Sequence, residues 1–288
     1  MKWILSYLCA GRQREHDGDT GGRAGEAVPA RGDGKRMSVK SFIARHLRPQ
    51  RPAPQLPPIE EALAPLAEPF RGVLLSMYAA GSMLGSDGRH HPVDTVTRIT
   101  PTQGMRFFEL CCSMKADATL EVGFAYGFST MYFLAAAAAN GVGHHTAIDP
   151  FEESDWHGIG LVNVRATGLQ SSFRYVNDCS VHAATDLARQ KSAFDVIFID
   201  GNHRLDDVLV DFYLCAPLCR IGGLVIFDDM WMSSIQTVVS FVRSNRHDFV
   251  EEAVGDARIS VFRRTGEDLR RWDDFQPFAV AGNGRAGR

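Results

Sequence analysis

Two apolar runs in this chain stop at acids. FDVIFIDGNH ends on Asp200, and GGLVIFDDM ends on the pair Asp228–Asp229. Runs of this kind read as buried strands, and adjacent parallel strands would bring the three carboxylates to one rim. Crowded carboxylates repel unless a proton or a cation neutralises them. Hard oxygen ligands with open positions suit Mg²⁺, which keeps waters or takes substrate oxygens. The plainer alternative is that Asp200 and Asp229 cap the helices that follow. His203, three residues past Asp200, is placed either to move a proton at neutral pH or simply to start the next helix.

A second candidate is the turn in LEVGFAYGFST, residues 120–130. Here a strand runs into a glycine-containing turn that opens a helix. In open α/β sheets ligands sit at such carboxyl ends, near the switch point. Gly123 and Gly127 allow close backbone approach, and the Ser129 hydroxyl can cap the helix or meet a ligand. The spacing is G-x-x-x-G, which departs from the dinucleotide G-x-G-x-x-G. Glu121, just before the turn, would repel a pyrophosphate and suit a cationic ligand. Asp149 ends the next strand, in HTAIDP, 22 residues after Gly127, where an acid can bind ribose hydroxyls. Together these features point to a positively charged cofactor that contains a nucleoside.

The E-x-G-x-x-x-G-x-S turn resembles the first motif of class I S-adenosylmethionine-dependent methyltransferases. From about residue 95 to 263 the pattern is similar to the catechol and caffeoyl-CoA O-methyltransferase type, and to bacterial enzymes that methylate antibiotic sugars. The resemblance implies that Glu121, Gly123, Tyr126, Gly127 and Ser129 hold the methionine part of the cofactor. It implies Asp149 at the ribose, and Asp178 and Ser180 beside adenine, although the family usually has Gly at the Asp178 position. It implies Asp200, Asp228 and Asp229 as ligands of a divalent metal, Mg²⁺ by expectation. Where the catechol-type enzymes carry a lysine base this chain has His203, so His203 becomes the expected base. Asn202 stands where the sugar-methylating relatives often carry an acid. The implied activity is methyl transfer to a hydroxyl of a small molecule. The competing readings are another small-molecule enzyme on this fold, hydroxylase-like or nicotinamide-linked, and a non-catalytic cofactor-binding protein.

The elements that must position these residues alternate. Strands are expected at ATLEVG, HHTAID, FRYVND, FDVIFID, GGLVIFDD, HDFVEEAV and RISVFRR, with helices between the first five. The fold class is therefore α/β and Rossmann-like: a mostly parallel seven-stranded sheet with helices on both faces and a terminal antiparallel hairpin. Residues 116–264 form the cofactor-binding domain, and residues 56–115 a helical cap, with Thr102 as a possible helix cap. His90 and His91 are lid candidates or surface histidines. Trp156, His157, Trp231 and Met232 are pocket walls or core.

Residues 1–55 read as a basic arm with eleven Lys/Arg and five Asp/Glu through residue 51, ending in the proline-rich RPQRPAPQLPP. Met37 is a possible alternative start. Residues 265–288 read as a polar tail. The 288 residues are 45% hydrophobic with a net charge of −3, which gives no reason to expect nucleic acid as partner. No stretch approaches a membrane span, and the six cysteines lack disulfide-framework or zinc spacing. A cytoplasmic protein is expected, with a hydroxylated small molecule as partner and a homodimer allowed.

Overall fold

The computed structural model describes residues 57–280. The basic arm, the proline-rich linker through residue 56 and the last eight residues lie outside the described part. Among the described residues no helix is long and apolar enough to cross a membrane.

Two strands lie apart from the main sheet: β1 (Ser82–Leu84) and β2 (His90–Pro92) pair antiparallel. The main sheet holds β3 (Ala118–Val122), β4 (His144–Ile148), β5 (Phe173–Val176), β6 (Phe194–Ile199), β7 (Cys219–Phe227), β8 (Phe249–Glu252) and β9 (Ser260–Arg264). Its order is β5-β4-β3-β6-β7-β9-β8. The first five strands in that order run parallel, and β9 and β8 join antiparallel at the far edge. This is the expected mixed, mostly parallel sheet with its terminal hairpin. Strand order progresses outward in opposite directions from β3 and from β6, so the switch point falls between the glycine turn and Asp200.

Helices cover both faces. On one lie α1 (Ile59–Ala62), α2 (Phe70–Ala79), α3 (Pro101–Met114), α4 (Phe128–Asn140) and α5 (Ile159–Ala166). On the other lie α6 (Ser180–Arg189), α7 (Leu205–Cys215) and α8 (Ser233–Asn245). The strands obey the two-residue period: Leu120 and Val122 join the core under α7, and Thr119 and Glu121 face α4. The alanines of α4 let it seat closely, with Leu134, Ala135 and Ala136 buried.

Two expectations need correction. The cap segment, read as helical, contains the β1–β2 hairpin, closed by a Gly85–Gly88 turn in which Gly85 N–H donates to Arg89 O at 2.7 Å. The cap of α3 is Thr100, whose Oγ1 accepts from Gln103 N–H at 3.3 Å, and Thr102 lies inside the helix. Pro101 decides this. Proline fits the first helical position, so the cap must precede it. Residues 265–280 have no regular structure, but Asn245 and Gln276 hold them to α8 through two hydrogen bonds of 2.7 and 3.0 Å.

Candidate active site

The ends of β3, β6 and β7 are neighbours in the sheet. The glycine turn, Asp200 and Asp228–Asp229 therefore emerge side by side at the carboxyl rim. Gly123 has φ +95°, and a Cβ there would stand 2.2 Å from the Asp200 carbonyl oxygen. Its bareness thus joins the turn to the end of β6. Gly127, at φ +80°, caps α4 and packs against Phe124 and Gly160.

Glu121, expected at the methionine part of the cofactor, lies behind the turn. It is fully buried on the α4 face and accepts from Ser129 Oγ at 2.7 Å and from the Thr130 hydroxyl. His145 Nε2 lies 3.1 Å away, and Thr119 Oγ1 bonds the other ring nitrogen of His145 at 2.8 Å. Glu121 and Ser129 therefore brace the helix start from below. Tyr126 is also enclosed, with its ring edge-on to Trp156 and its hydroxyl accepting from Asp94 N–H at 3.2 Å.

Asp149 sits at the end of β4 and holds the turn. Its Oδ2 accepts from Phe124 N–H and Ala125 N–H at 3.0 Å each, and its Oδ1 from Phe151 N–H at 2.8 Å. Burial raises its pKa, opposed by these backbone donors. A carboxylate oxygen has two lone pairs, so Oδ1 keeps an acceptor position for a donor such as a ribose hydroxyl. Three residues on, the buried Glu152 accepts from Leu161 N–H at 3.1 Å at the start of α5. Burial pushes its carboxyl up to about 8. Asp178 accepts from Cys179 N–H at 2.7 Å and lies 3.1 Å from His182 Nδ1. Ser180 opens α6, and its hydroxyl acts to lower the pKa of Asp211.

At the acid rim, three side chains converge: ligand atoms of Asp200, His203 and Asp229 all lie within 4.8 Å of one another. His203 Nε2 is 2.7 Å from Asp229 Oδ2 and 3.5 Å from Asp200 Oδ1. Burial works to lower the His203 pKa, but these two carboxylates outweigh it and raise it to about 10. Burial and the Asp229 charge raise Asp200. Asp229 is lowered overall, because His203 and Trp231 outweigh its burial. Trp231 Nε1 donates to Asp229 Oδ1 at 2.8 Å, which gives this tryptophan a role at the rim itself. Asp229 adopts φ +52°, the left-handed region that acids visit more readily than most residues.

Asp228, the third predicted ligand, is set slightly apart. It is buried, and its Oδ1 accepts from Asp229 N–H at 2.8 Å and from Gln103 Nε2 at 2.5 Å. Burial, then the charges of Asp200 and Asp229, raise it well above the usual carboxylate range. The sequence reading missed Gln103 altogether. The lid candidates lie elsewhere: His91 stacks on His157 at 3.8 Å and pairs with Asp87 at 3.0 Å, which docks the β1–β2 hairpin on the loop after Asp149.

Comparison with known proteins agrees with this geometry. The sequence profile of a family described as a methyltransferase domain matches residues 120–230. A protein of Arabidopsis thaliana that bears the name caffeoyl-CoA O-methyltransferase is 27% identical over 124 residues, 42% of this chain and 50% of the relative. The chain thus matches about half the length of that relative. Among solved structures, cofactor-bound Rv0187 from MTB superposes with a TM-score of 0.53 at 16% identity, covering 74% of this chain and all of the other. The SAH-bound methyltransferase PaMTH1 of Podospora anserina gives 0.51 at 12% identity, covering 84% of this chain and all of the other. At these identities the structural likeness speaks for the fold. The methyltransferase-domain match spans the stretch that holds the glycine turn, Asp149, Asp200 and the pair Asp228–Asp229.

Proposed function

We propose that this protein transfers a methyl group from S-adenosylmethionine to a hydroxyl of a small molecule, with a divalent metal, Mg²⁺ by chemistry, at the acid rim. One observation carries the reading. The glycine turn after β3, Asp200 after β6 and Asp228–Asp229 after β7 share one edge of the sheet, so cofactor and acid sites adjoin. The methyltransferase-domain match and the cofactor-bound and SAH-bound fold neighbours support it.

The donor set fits both groups. Asp149 keeps an acceptor position for a ribose hydroxyl, and the backbone of residues 123–127 is fixed by that same carboxylate. Asp178 offers a polar side chain at the adenine end, while Ser180 positions that segment through Asp211. Glu121 and Ser129 set the helix start, and Tyr126 fixes the turn from the cap side. At the rim Asp200, Asp228 and Asp229 would hold the cation, which when bound lowers the pKa of an acceptor hydroxyl. With the carboxylates so engaged, His203 would be the neutral imidazole that a general base must be. Positioning and electrostatics account for the rest of the rate, since the methyl group moves without covalent help from the protein.

The test is calorimetric titration with S-adenosylmethionine, S-adenosylhomocysteine and NAD⁺, each with and without Mg²⁺, followed by methylation assays on Asp200→Ala. Binding of the two adenosyl ligands and none of NAD⁺ is expected, with Asp200→Ala losing metal-dependent turnover while keeping adenosyl binding. No adenosyl binding in either condition overturns the reading. Parallel loss of both properties in Asp200→Ala would make Asp200 a folding residue.

A further inference from the structure

We infer that Gln103, on the cap helix α3, is the positioning residue of the acid rim: its amide aims Asp228 so that one oxygen of that carboxylate stays turned to a divalent ion. The inference rests on the metal reading proposed above.

Gln103 is 3% exposed, a long polar side chain buried where hydrophobic residues usually sit. Its Nε2 donates to Asp228 Oδ1 at 2.5 Å, across 125 residues of sequence. The Asp229 N–H falls on the same oxygen at 2.8 Å. Both donors fall on Oδ1, and none of the hydrogen bonds to this carboxylate uses Oδ2.

Glutamine suits this task for a reason of charge. A lysine there would neutralise Asp228 and compete with a metal for it. A glutamate would add a fourth acid to three that already repel. An apolar residue would leave a buried carboxylate with one donor fewer. An amide orients the carboxylate and leaves its charge for the ion, as groups behind metal ligands commonly do.

The amide is itself fixed. It belongs to the first turn of α3, where Thr100 caps the helix. Arg258 donates through NH1 to Thr100 Oγ1 at 2.6 Å, and its carbonyl accepts from Met230 N–H at 2.9 Å. The start of α3 is therefore clamped to the residue that follows Asp229. Cap helix and acid rim are one assembly, and the positive end of the α3 dipole adds a favourable field for nearby carboxylates.

The experiment is calorimetric titration of Mg²⁺ and Mn²⁺ into the full chain, comparing wild type with Gln103→Met and Gln103→Lys. S-adenosylhomocysteine affinity and the metal-free unfolding midpoint are the structural readouts. Gln103→Met preserves length and burial. It is expected to weaken both metals about 10- to 100-fold, the usual cost of losing such a partner, with S-adenosylhomocysteine affinity within about twofold of wild type, a loss too small to mark as energetic. Gln103→Lys, with an ammonium beside Asp228, is expected to abolish metal binding in a folded protein. Wild-type metal affinity in Gln103→Met overturns the inference, as does a parallel loss of metal binding, cofactor binding and cooperative unfolding in both variants. If wild type itself binds neither ion, the metal reading fails first, and this inference falls with it.

Discussion

Replacing Gly123 by alanine tests whether the glycine turn and the acid rim are one mechanical unit. Gly123 has φ +95°, so any L side chain there pays a backbone cost of about 1–2 kcal/mol. The larger cost is steric. The new Cβ would stand 2.2 Å from the Asp200 carbonyl oxygen, 2.7 Å from its carbon and 3.0 Å from Gly201 Cα. All three atoms are main chain, so no rotamer change relieves the contact. Relief needs a shift of about 1 Å between the strand ends, given that non-bonded heavy atoms prefer roughly 3.5 Å. Such a shift strains Asp200 N–H to Val122 O and Gly123 N–H to Ile148 O, both 2.9 Å. At about 1 kcal/mol for each hydrogen bond, the total comes to about 3–4 kcal/mol.

Gly222 supplies the control. It has φ +88° with no atom within 4 Å of a built Cβ, so Gly222→Ala carries the backbone cost alone, about 1–2 kcal/mol. Urea unfolding of both variants separates the two effects, with Gly123→Ala expected to lie at least about 2 kcal/mol below Gly222→Ala. In Gly123→Ala that still folds, divalent-ion affinity should fall, because Asp200 is the residue displaced. Equal stabilities for the two variants would refute the argument, since they would mean that the turn does not bear on the end of β6.

Asp211 gives a pH prediction: burial pushes its carboxyl up to about 6, against the hydrogen bond from Ser180. A raised folded pKa contributes stability that is full below the unfolded value and is lost as pH rises through about 6. Asp211→Asn should therefore gain on wild type by up to about 3 kcal/mol at pH 7.5 and by little at pH 4, read as the difference between two urea curves; a pH-independent difference would count against it. Thr100→Ala should cost about 1–2 kcal/mol through the lost helix cap and the lost partner of Arg258, with Thr100→Ser restoring most of it in thermal melts. Glu121→Ala strands two hydroxyls and an imidazole in the core and should destabilise by about 3–5 kcal/mol, while Glu121→Gln costs less; equal losses would remove the bracing role.

The parallel part of the sheet was legible because its strands alternate with helix-period segments and its central members are near-continuous apolar runs, the pattern that parallel strands buried on both faces demand. The hairpin of residues 82–92 was harder. Its strands are three residues each, too short for alternation to register, and only the Gly85-Ser-Asp-Gly88 turn announced it. The cap of α3 was misplaced by two residues although its signal was present, since Pro101 selects the threonine before it. The inward turn of Glu121 was readable too. A residue between the core positions Leu120 and Val122 must face the other layer, where α4 presents Ser129 and Thr130.

The acid rim divides differently. Asp200 and Asp229 are strand-end residues, and chain order alone puts such residues on one edge of a parallel sheet. What neutralises them is a matter of tertiary contact, and spacing carries no trace of it. Asp229 is held by Trp231, Asp228 by Gln103 and the Asp229 N–H, and His203 lies against Asp229 and Asp200. Trp231 stands two residues from Asp229 and His203 three from Asp200, so a reader of the sequence can find them, although the nearer partner of His203 is Asp229 on the neighbouring strand end. Gln103 comes from a helix on the far side of the chain's order and from a different layer of the fold. The other supports come from the strand ends themselves, and it is Gln103 that binds the cap to the chemistry. A rim built only from local contacts would work as well without residues 57–115. The contact between Gln103 and Asp228 is the physical reason to expect that it does not.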